Sequence, residues 1–495
     1  MSLINISDLT FADDGSYDNI FEHVNLQLDT DWRLGFTGRN GRGKTTLLKL
    51  LMGEYEYQGS ISASVAFDYF PFPLRDESWL CWELLEDLDP GLEQWRILRE
   101  MAALELDEEL LYRPWETLSP GERTKLLLAA LFQREGRFLL IDEPTNHLDA
   151  PGRELLSRYL KGKKGYIVVS HDRAFLDGCV DHILSINKSS IEVQRGNFSS
   201  WWENKERKDA FERAENEKLK KEIGRLQETA REKAQWSDRA ESRKTGISRV
   251  EVDNVKGWRP LQGAKSKKQM ARAKAIEGRR QEAIEEKSKL LKDLEQSPEL
   301  KLKQERYHSE RLLLLRDLSI DYGAGVVCSG VSFQVNRGDR LALRGRNGSG
   351  KSSLLKLICG EGIPYTGTLE IGSRLKISYV PQDSSRLRGN LSDYARASEI
   401  DESLFKAILR KLDFTRTQFE KDMADFSAGP RKQVLIARSL CETAHLHVWD
   451  EPMNYIDVLS RIQIEDLILE YRPTLLFVEH DRRFCERTAT RIVTL

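Results

Sequence analysis

The sequence predicts an α/β protein: two phosphate-loop domains of one design, joined by a long antiparallel two-helix linker. Three observations carry this. A phosphate loop occurs twice, as Gly38-Arg39-Asn40-Gly41-Arg42-Gly43-Lys44-Thr45 and as Gly345-Arg346-Asn347-Gly348-Ser349-Gly350-Lys351-Ser352. Both fit G-x-x-x-x-G-K-[ST], in which glycines let backbone N–H groups close around phosphates. Downstream landmarks repeat at matched distances: Lys44 to His171 spans 127 residues and Lys351 to His480 spans 129, while Ser119 precedes Asp142, and Ser427 precedes Asp450, by 23. Between the copies the composition shifts to Glu, Lys, Arg, Ala and Gln. There Leu219, Ile223, Leu226 and Ala230, then Ile276, Ala283, Leu290 and Leu294, keep helical spacing.

The elements follow in order. Met1-Ser2-Leu3-Ile4 runs straight into a strand pattern, without the basic and apolar regions of a signal peptide. Short apolar runs end at the landmarks: Phe138-Leu139-Leu140-Ile141 at Asp142, Ile167-Val168-Val169 at Ser170-His171, His447-Val448-Trp449 at Asp450, and Leu476-Phe477-Val478 at Glu479-His480. Such runs read as buried parallel strands with sites at their carboxyl ends. Ser119-Pro120-Gly121-Glu122 has the capping-box form, with Pro first in the helix that continues through Leu126-Leu127-Leu128. Expected domains are 1–202, 203–306 and 307–495. Gly246, Gly257, Pro260 and Gly263 break the linker helices, which puts its irregular tip at about 245–263.

Composition narrows the function. The 495 residues carry a net charge of −2 with 32% charged. The longest apolar runs, such as Leu126 to Phe132, are too short to cross a bilayer. The cysteines (Cys81, Cys179, Cys328, Cys359, Cys441, Cys485) are scattered without a C-x-x-C pair, which fits reduced thiols in a cytoplasmic protein. Residues 231–280 hold 15 Lys+Arg against 6 Asp+Glu, a net of +9, so the rest of the chain sums to −11. A basic projection on an acidic body points to a polyanion, foremost nucleic acid, although a solvated helical surface has the same composition. Trp236 and Trp258 suit base stacking or packing alike.

The chemistry is that of ATP hydrolysis, which needs positioning, charge neutralisation and an oriented water. Lys44 and Lys351 reach toward the β- and γ-phosphates, and Thr46 and Ser353 continue the loops. Thr45 with Asp142, and Ser352 with Asp450, are the expected Mg²⁺ partners, with Gln382 a further candidate. Glu143 and Glu451 follow the aspartates and are the candidates to polarise water. His171 and His480 are placed to touch the γ-phosphate. Ser119, Gly121 and Glu122, and in the second copy Ser427 and Gly429, open helices whose N-termini suit an anion. Tyr322 is the candidate adenine stacker in the second copy; in the first, Asp13 stands at that position and leaves Phe11 or Tyr17. Pro381-Gln382 is matched in the first copy by Tyr69-Phe70-Pro71-Phe72, with Phe72 in the place of the glutamine, so the two sites are expected to be inequivalent.

Placed 23 residues before Asp-Glu, the two serine turns resemble the signature motif of ATP-binding cassettes. In that family each signature closes on nucleotide held by the opposite cassette, which implies Ser427 facing ATP on Lys44 and Ser119 facing ATP on Lys351 within one monomeric chain. Two cassettes, no membrane domain and a charged helical linker together resemble the ABC-F family of translation ATPases. Glu143-Pro144-Thr145-Asn146-His147-Leu148-Asp149 matches its usual form; Glu451-Pro452-Met453-Asn454-Tyr455-Ile456-Asp457 is degenerate. The first cassette lacks a sizeable arm insertion and the linker tip is long, which resembles the Lsa/Vga type of antibiotic-resistance member. That resemblance implies a 70S ribosome partner, with binding at the E site against rRNA and P-site tRNA. It implies a tip, with Lys244, Val255 and Trp258 as candidates, that is pushed toward the peptidyl transferase centre to dislodge lincosamides, streptogramin A and pleuromutilins. Two alternatives stay open: a housekeeping ABC-F factor, and the ATPase subunit of a transporter. A long basic projection speaks against the second. A third reading, a DNA-repair ATPase, fits less well because a coiled coil typically interrupts one cassette there, whereas here the linker joins two whole ones.

Overall fold

The computed structural model describes residues 2–12, 19–72, 74–146, 148–186, 191–212, 214–218, 221, 305, 307–323, 325–346, 348–412 and 414–495. Residues 222–304 of the hairpin expected over 203–306, the tip candidates Lys244, Val255 and Trp258, and also Asp13, Tyr17, His147 and Asn347, lie outside these residues. Residues 1–201 and 297–495 cluster into one compact unit that holds both cassettes, and 202–296 into another. Described residues of the second unit, such as Trp202 to Phe211, are helical.

Among the described residues the first cassette has the strands β1 (Leu3–Phe11), β2 (Phe21–Asp29), β3 (Arg33–Gly38), β4 (Gln58–Ser62), β5 (Ala66–Phe70), β6 (Arg137–Asp142), β7 (Tyr166–Val169), β8 (His182–Ile186) and β9 (Ile191–Arg195). They form an antiparallel sheet in the order β2-β1-β4 and a six-stranded sheet in the order β5-β6-β7-β3-β8-β9. The latter is parallel except where β9 pairs antiparallel with β8. The second cassette repeats the plan with β10 (Arg311–Asp321), β11 (Val326–Asn336), β12 (Arg340–Arg344), β13 (Tyr365–Ile371), β14 (Ile377–Val380), β15 (Leu446–Asp450), β16 (Leu475–Val478) and β17 (Arg491–Thr494). Its sheets are β11-β10-β13 and the all-parallel β14-β15-β16-β12-β17.

The apolar runs form the inner strands as expected. Phe138 to Ile141, Tyr166 to Val169 and Leu475 to Val478 are all buried, because helices or a second sheet cover both faces of a parallel strand. The outer antiparallel sheets show alternation with a slip. In β1, Ile4 and Ile6 point inward, then Leu9 and Phe11; in β10 all of Leu312 to Leu315 are buried, and Leu318 and Ile320 follow beyond the shift. The register shifts between these pairs, and Asp8 and Asp317 stand there with φ of 56° and 45°. A β-bulge restores the inward face after the phase change.

Each cassette thus packs its two sheets around the helix that follows the phosphate loop, Lys44–Met52 or Lys351–Ile358. The cores join Leu34, Phe36, Leu47 and Leu48 in the first cassette, and Leu341, Leu343, Leu354 and Leu355 in the second. A further core under the signature helix of the second cassette gathers Phe405, Ile408, Met423 and Ile436.

One buried group in this framework makes stability pH-dependent. His447 lies in β15, where Ser439 Oγ stands 3.1 Å from its Nδ1, and burial lowers its pKa to about 4. The unfolded chain, near the ordinary value of about 6.5, binds this proton first. Stability from this group is therefore complete above about pH 6.5 and is lost as pH falls toward 4, by about 3 kcal/mol in all. His447→Gln is expected to flatten that part of the thermal-unfolding curve against pH. An unchanged acid slope would refute the assignment.

Candidate functional site

Two cavities sit where the cassettes face each other head to tail. The first, of about 450 Å³, is floored by Asn40, Gly41, Gly43, Lys44, Thr45 and Thr46 and roofed by Ser427, Ala428, Gly429 and Tyr455 from the other cassette. The second, of about 630 Å³, runs from Gly348 through Ser349, Gly350, Lys351, Ser352 and Ser353 to Ser119, Gly121 and Glu122. The cross-facing expected from the signature motifs is the geometry observed. One contact across the first cavity runs from side chain to backbone: Asn40 Nδ2 donates to Tyr455 O at 2.8 Å. A Cβ on Gly429 would stand 2.6 Å from that carbonyl oxygen, so only glycine lets the two loops meet.

The phosphate loops are tensioned alike. Lys44 Nζ donates to Gly38 O at 2.8 Å and to Arg39 O at 3.1 Å, and Lys351 Nζ to Gly345 O at 2.9 Å and Arg346 O at 2.8 Å. Both lysines are buried, and burial lowers their pKa values against the raising effect of nearby carboxylates. Arg42 is half-buried on its loop and does not line the first cavity. The glycine before each lysine, Gly43 or Gly350, has φ of 88° or 81°. Its hydrogen faces Ile20 or Val327, where a Cβ would come within 2.6 or 2.9 Å. Phe11, one of the two candidates for an adenine platform beside Tyr17, is instead buried in the core against Tyr55 at 5.5 Å, and Ile20 takes the place beside the cavity. Tyr322 is half exposed, and its hydroxyl donates to Ser353 Oγ at 3.1 Å, at the edge of the second loop.

The two carboxylate pairs differ. Thr45 Oγ1 donates to Asp142 Oδ2 at 2.8 Å, and Tyr69 OH donates to the same oxygen at 3.0 Å. Glu143 and Glu451 both leave their strands in the left-handed region, with φ of 52° and 45°, a conformation that costs energy for a side chain of this size. His171 Nε2 stands 3.1 Å from Glu143 Oε1, but without hydrogen-bond alignment, and neither Glu143 oxygen has a hydrogen-bond partner among the described residues. Burial, then the charge of Asp142, pushes Glu143 up to about 8. Burial acts the same way on Glu451, but His480, Gln382 and Asn454 outweigh it and hold the group at about 2. Gln382 Nε2 donates to Glu451 Oε2 at 2.7 Å and Asn454 Nδ2 at 2.6 Å. His480 contributes most to that difference, and Phe72, in the place of Gln382, offers Glu143 no amide.

The residues also fit a hard cation held mainly by phosphates. No cluster of three His, Cys, Asp or Glu able to cage a metal occurs among the described residues. Each phosphate loop does present a hydroxyl beside one strand-end carboxylate, and Asp450 Oδ1 is buried without a partner. One or two carboxylates plus substrate oxygens is the usual Mg²⁺ arrangement.

Sequence reasoning passed over several residues here: Asn454 and Tyr455, Ile20 and Val327, and above all Lys432. Lys432 occupies the place of Thr124 in the repeat, five residues past the signature serine. It is buried, and its Nζ donates to Pro381 O at 2.6 Å, Gln382 O at 2.8 Å and Asp450 O at 3.4 Å. It ties the signature helix of the second cassette to the Pro381-Gln382 segment and to the end of β15. Aligning the two signature helices would have singled it out.

Comparison with known proteins agrees with this geometry. Residues 21–146 and 328–454 both match the family described as ABC transporter. The ribosome protection protein VmlR of Bacillus subtilis is 27% identical over 483 residues, covering 95% of this chain and 82% of that protein. The energy-dependent translational throttle protein EttA of Haemophilus influenzae is 26% identical over 528 residues, covering 96% and 89%. Among solved structures, RNase-L Inhibitor superposes with a TM-score of 0.62 at 20% identity, covering 99% of this chain and 87% of that one. The archaeal ribosome recycling factor aABCE1, in complex with the stalk protein aP1, gives 0.62 at 20% identity, covering 96% and 84%. At that identity both show the fold alone. The matched residues amount to half of the chain, and with the paired cassettes they establish that it belongs to the ABC transporter family as an ATP-hydrolysing protein whose relatives are ABC-F proteins.

Proposed function

We propose that this protein is a ribosome-binding ATPase of the ABC-F kind, acting in the cytoplasm. In this reading it occupies the E site beside P-site tRNA and uses its linker to free the peptidyl transferase centre of lincosamide, streptogramin A or pleuromutilin drugs. The observation that carries the proposal is the pair of cavities, each made from one phosphate loop and the opposite signature turn, in a chain without membrane-crossing helices among its described residues. Such a pair converts ATP binding into closure of the two cassettes. The basic stretch between them gives that motion a polyanion to act on. Similarity to a ribosome protection protein supports the drug reading, and similarity to a translational throttle protein supports a housekeeping role in its place.

In this reading Lys44 and Lys351 neutralise phosphate charge, and the N-termini of the signature helices, at Ser427 and Ser119, add backbone donors from the opposite side. Mg²⁺, held through Thr45 and Asp142 or Ser352 and Asp450, supplies further neutralisation of phosphate charge. Glu143 and Glu451 orient the attacking water and take its proton, while His171 and His480, beside those carboxylates, reach toward the γ-phosphate. Tyr322 stacks on adenine. Gln382 reports the state of the second site through its hydrogen bond to Glu451.

Co-sedimentation with 70S ribosomes in ATP, followed by drug susceptibility of a sensitive host that expresses the chain, tests the proposal. Ribosome pelleting without resistance favours the housekeeping role, and no pelleting overturns both. Binding should weaken at least about tenfold between about 50 and about 200 mM salt, as phosphate contacts release counterions. Charge reversal at Lys265, Lys267 and Lys268 should weaken binding to drug-free and drug-bound ribosomes equally. A flat salt response would remove the electrostatic account.

A further inference from the structure

The cassettes are related by a repeat, but the contacts between them are not. Arg173, two residues past His171, reaches across to Glu465 on the helix Val458–Tyr471 of the second cassette. Its Nη1 donates to Glu465 Oε2 at 3.2 Å, and its Nη2 donates to Oε1. The side chains are 7% and 0% exposed, so the pair is sealed from water. Arg487 backs Glu465 from its own cassette at 2.8 Å, and Asp481 lies 3.9 Å from Arg173. Close by, Arg483 crosses in the other direction to Asp177.

The corresponding residues on the other side make none of these contacts. Arg482 takes the place of Arg173, two residues past His480, but its side chain is 66% exposed and bonds Glu486 one turn along its own helix. Opposite it, in the place of Glu465, stands Ser157, whose hydroxyl is spent on Phe175 O. Gly178 replaces Arg487, and Ala174 replaces Arg483. A cavity of about 910 Å³ opens there, lined by Ser157, Ala174, Gly178, Arg482 and Glu486. One side of the interface is therefore closed by buried charge pairs, and its counterpart is open.

The closed side adjoins the site around Lys44. Arg173 follows His171 there, and the helix that carries Glu465 begins at Asp457, whose charge acts on Lys44. Arg461 on the same helix acts on both Glu143 and His171. The open side adjoins Lys351, since its cavity also touches Gly345 and His480.

We infer that Arg173 and Glu465 form a latch that keeps the composite site around Lys44 shut while the cassettes part at the site around Lys351. Arg173 is a positioning residue: it acts on nucleotide only by holding the second cassette against the first. A buried ion pair suits this role, because separating its partners leaves an uncompensated charge, and the interface then has two states with no stable intermediate opening. The latch rests on the reading of both cavities as ATP sites.

The test is release of a fluorescent, non-hydrolysable ATP analogue from full-length protein, chased with excess ATP and Mg²⁺. Lys351→Ala leaves only the Lys44 site to be read, and Lys44→Ala leaves only the Lys351 site. Glu465→Gln should speed release from the Lys44 site about tenfold or more, since it removes a charged hydrogen-bond partner. Release from the Lys351 site should change less than about twofold, as for an uncoupled position. Arg173→Lys keeps the charge but loses the two-pronged contact, so it should show the same selectivity with a smaller effect, and it decides the matter if Glu465→Gln does not fold. Equal acceleration at both sites, or none at the Lys44 site, overturns the latch while leaving the ATP sites intact. Failure of both backgrounds to bind the analogue overturns the ATP-site reading and the latch with it.

Discussion

Replacing Glu143 and Glu451 together by Gln is expected to lower ATP hydrolysis by about 10²–10⁴-fold, the range that a general base contributes, while leaving ATP binding in place. The substitution keeps side-chain shape and removes only the ability to accept a proton from water. Neither Lys44 nor Lys351 hydrogen-bonds these carboxylates; both are held by loop carbonyls. The phosphate cradles therefore survive the change. With ATP bound and not consumed, the cassettes stay closed, and the double variant should pellet with ribosomes more completely than the parent. The single variants should differ. Glu451 accepts from Gln382 and Asn454 on a single oxygen, Oε2, which the carbonyl oxygen of a Gln can replace, so Glu451→Gln keeps that network. Glu143 has no such partners among the described residues, and Glu143→Gln relieves a buried carboxyl that is pushed up to about 8. Both single variants are thus expected to keep ATP binding and to lower turnover by different factors. Wild-type hydrolysis in the double variant would end the catalytic assignment, and equal behaviour of the singles would end the inequivalence.

What could be read beforehand, and what could not, follows from the range of each interaction. The strands ending at Asp142, Asp450, His171 and His480 were legible because a parallel strand buried on both faces reads as an unbroken apolar run. The facing of Ser427 to one phosphate loop and Ser119 to the other could not come from spacing, and it entered through family resemblance. Phe11 stood beside Tyr17 as a candidate platform because an aromatic near the loop looks the same whether it points to the cavity or to the core. The bulge at Asp8 decides that, by turning Leu9 and Phe11 inward. Arg173 and Glu465 are 292 residues apart, and neither stands in a motif, so nothing local marks them as partners. Lys432 could have been found, since it departs from Thr124 at the matching place in a helix already singled out.

Shortening residues 248–261 to a brief Gly-Ser link is expected to abolish drug resistance while sparing ATP hydrolysis and ribosome pelleting. The argument is one of separable parts. Both composite cavities are built wholly from residues 20–171 and 327–480, so the deletion touches no group that holds phosphate. Most of the basic charge that meets rRNA phosphates also remains, because Lys265, Lys267, Lys268, Arg272, Lys274, Arg279 and Arg280 follow the deleted stretch. What is lost is the apolar and aromatic content of the tip, Val255 and Trp258 together with Val250, Val252 and Leu261. A linker that only spaced the cassettes would have no use for them, whereas an end that enters a drug pocket lined with RNA bases would. Trp258→Ala alone should raise drug susceptibility part of the way. The minimum inhibitory concentration for a pleuromutilin or lincosamide, measured beside ribosome pelleting for the same variants, decides the point. Resistance at the parental concentration after the deletion would mean that closure of the cassettes acts on the ribosome through some other surface, and parallel loss of pelleting would mean that the stretch serves binding and not displacement.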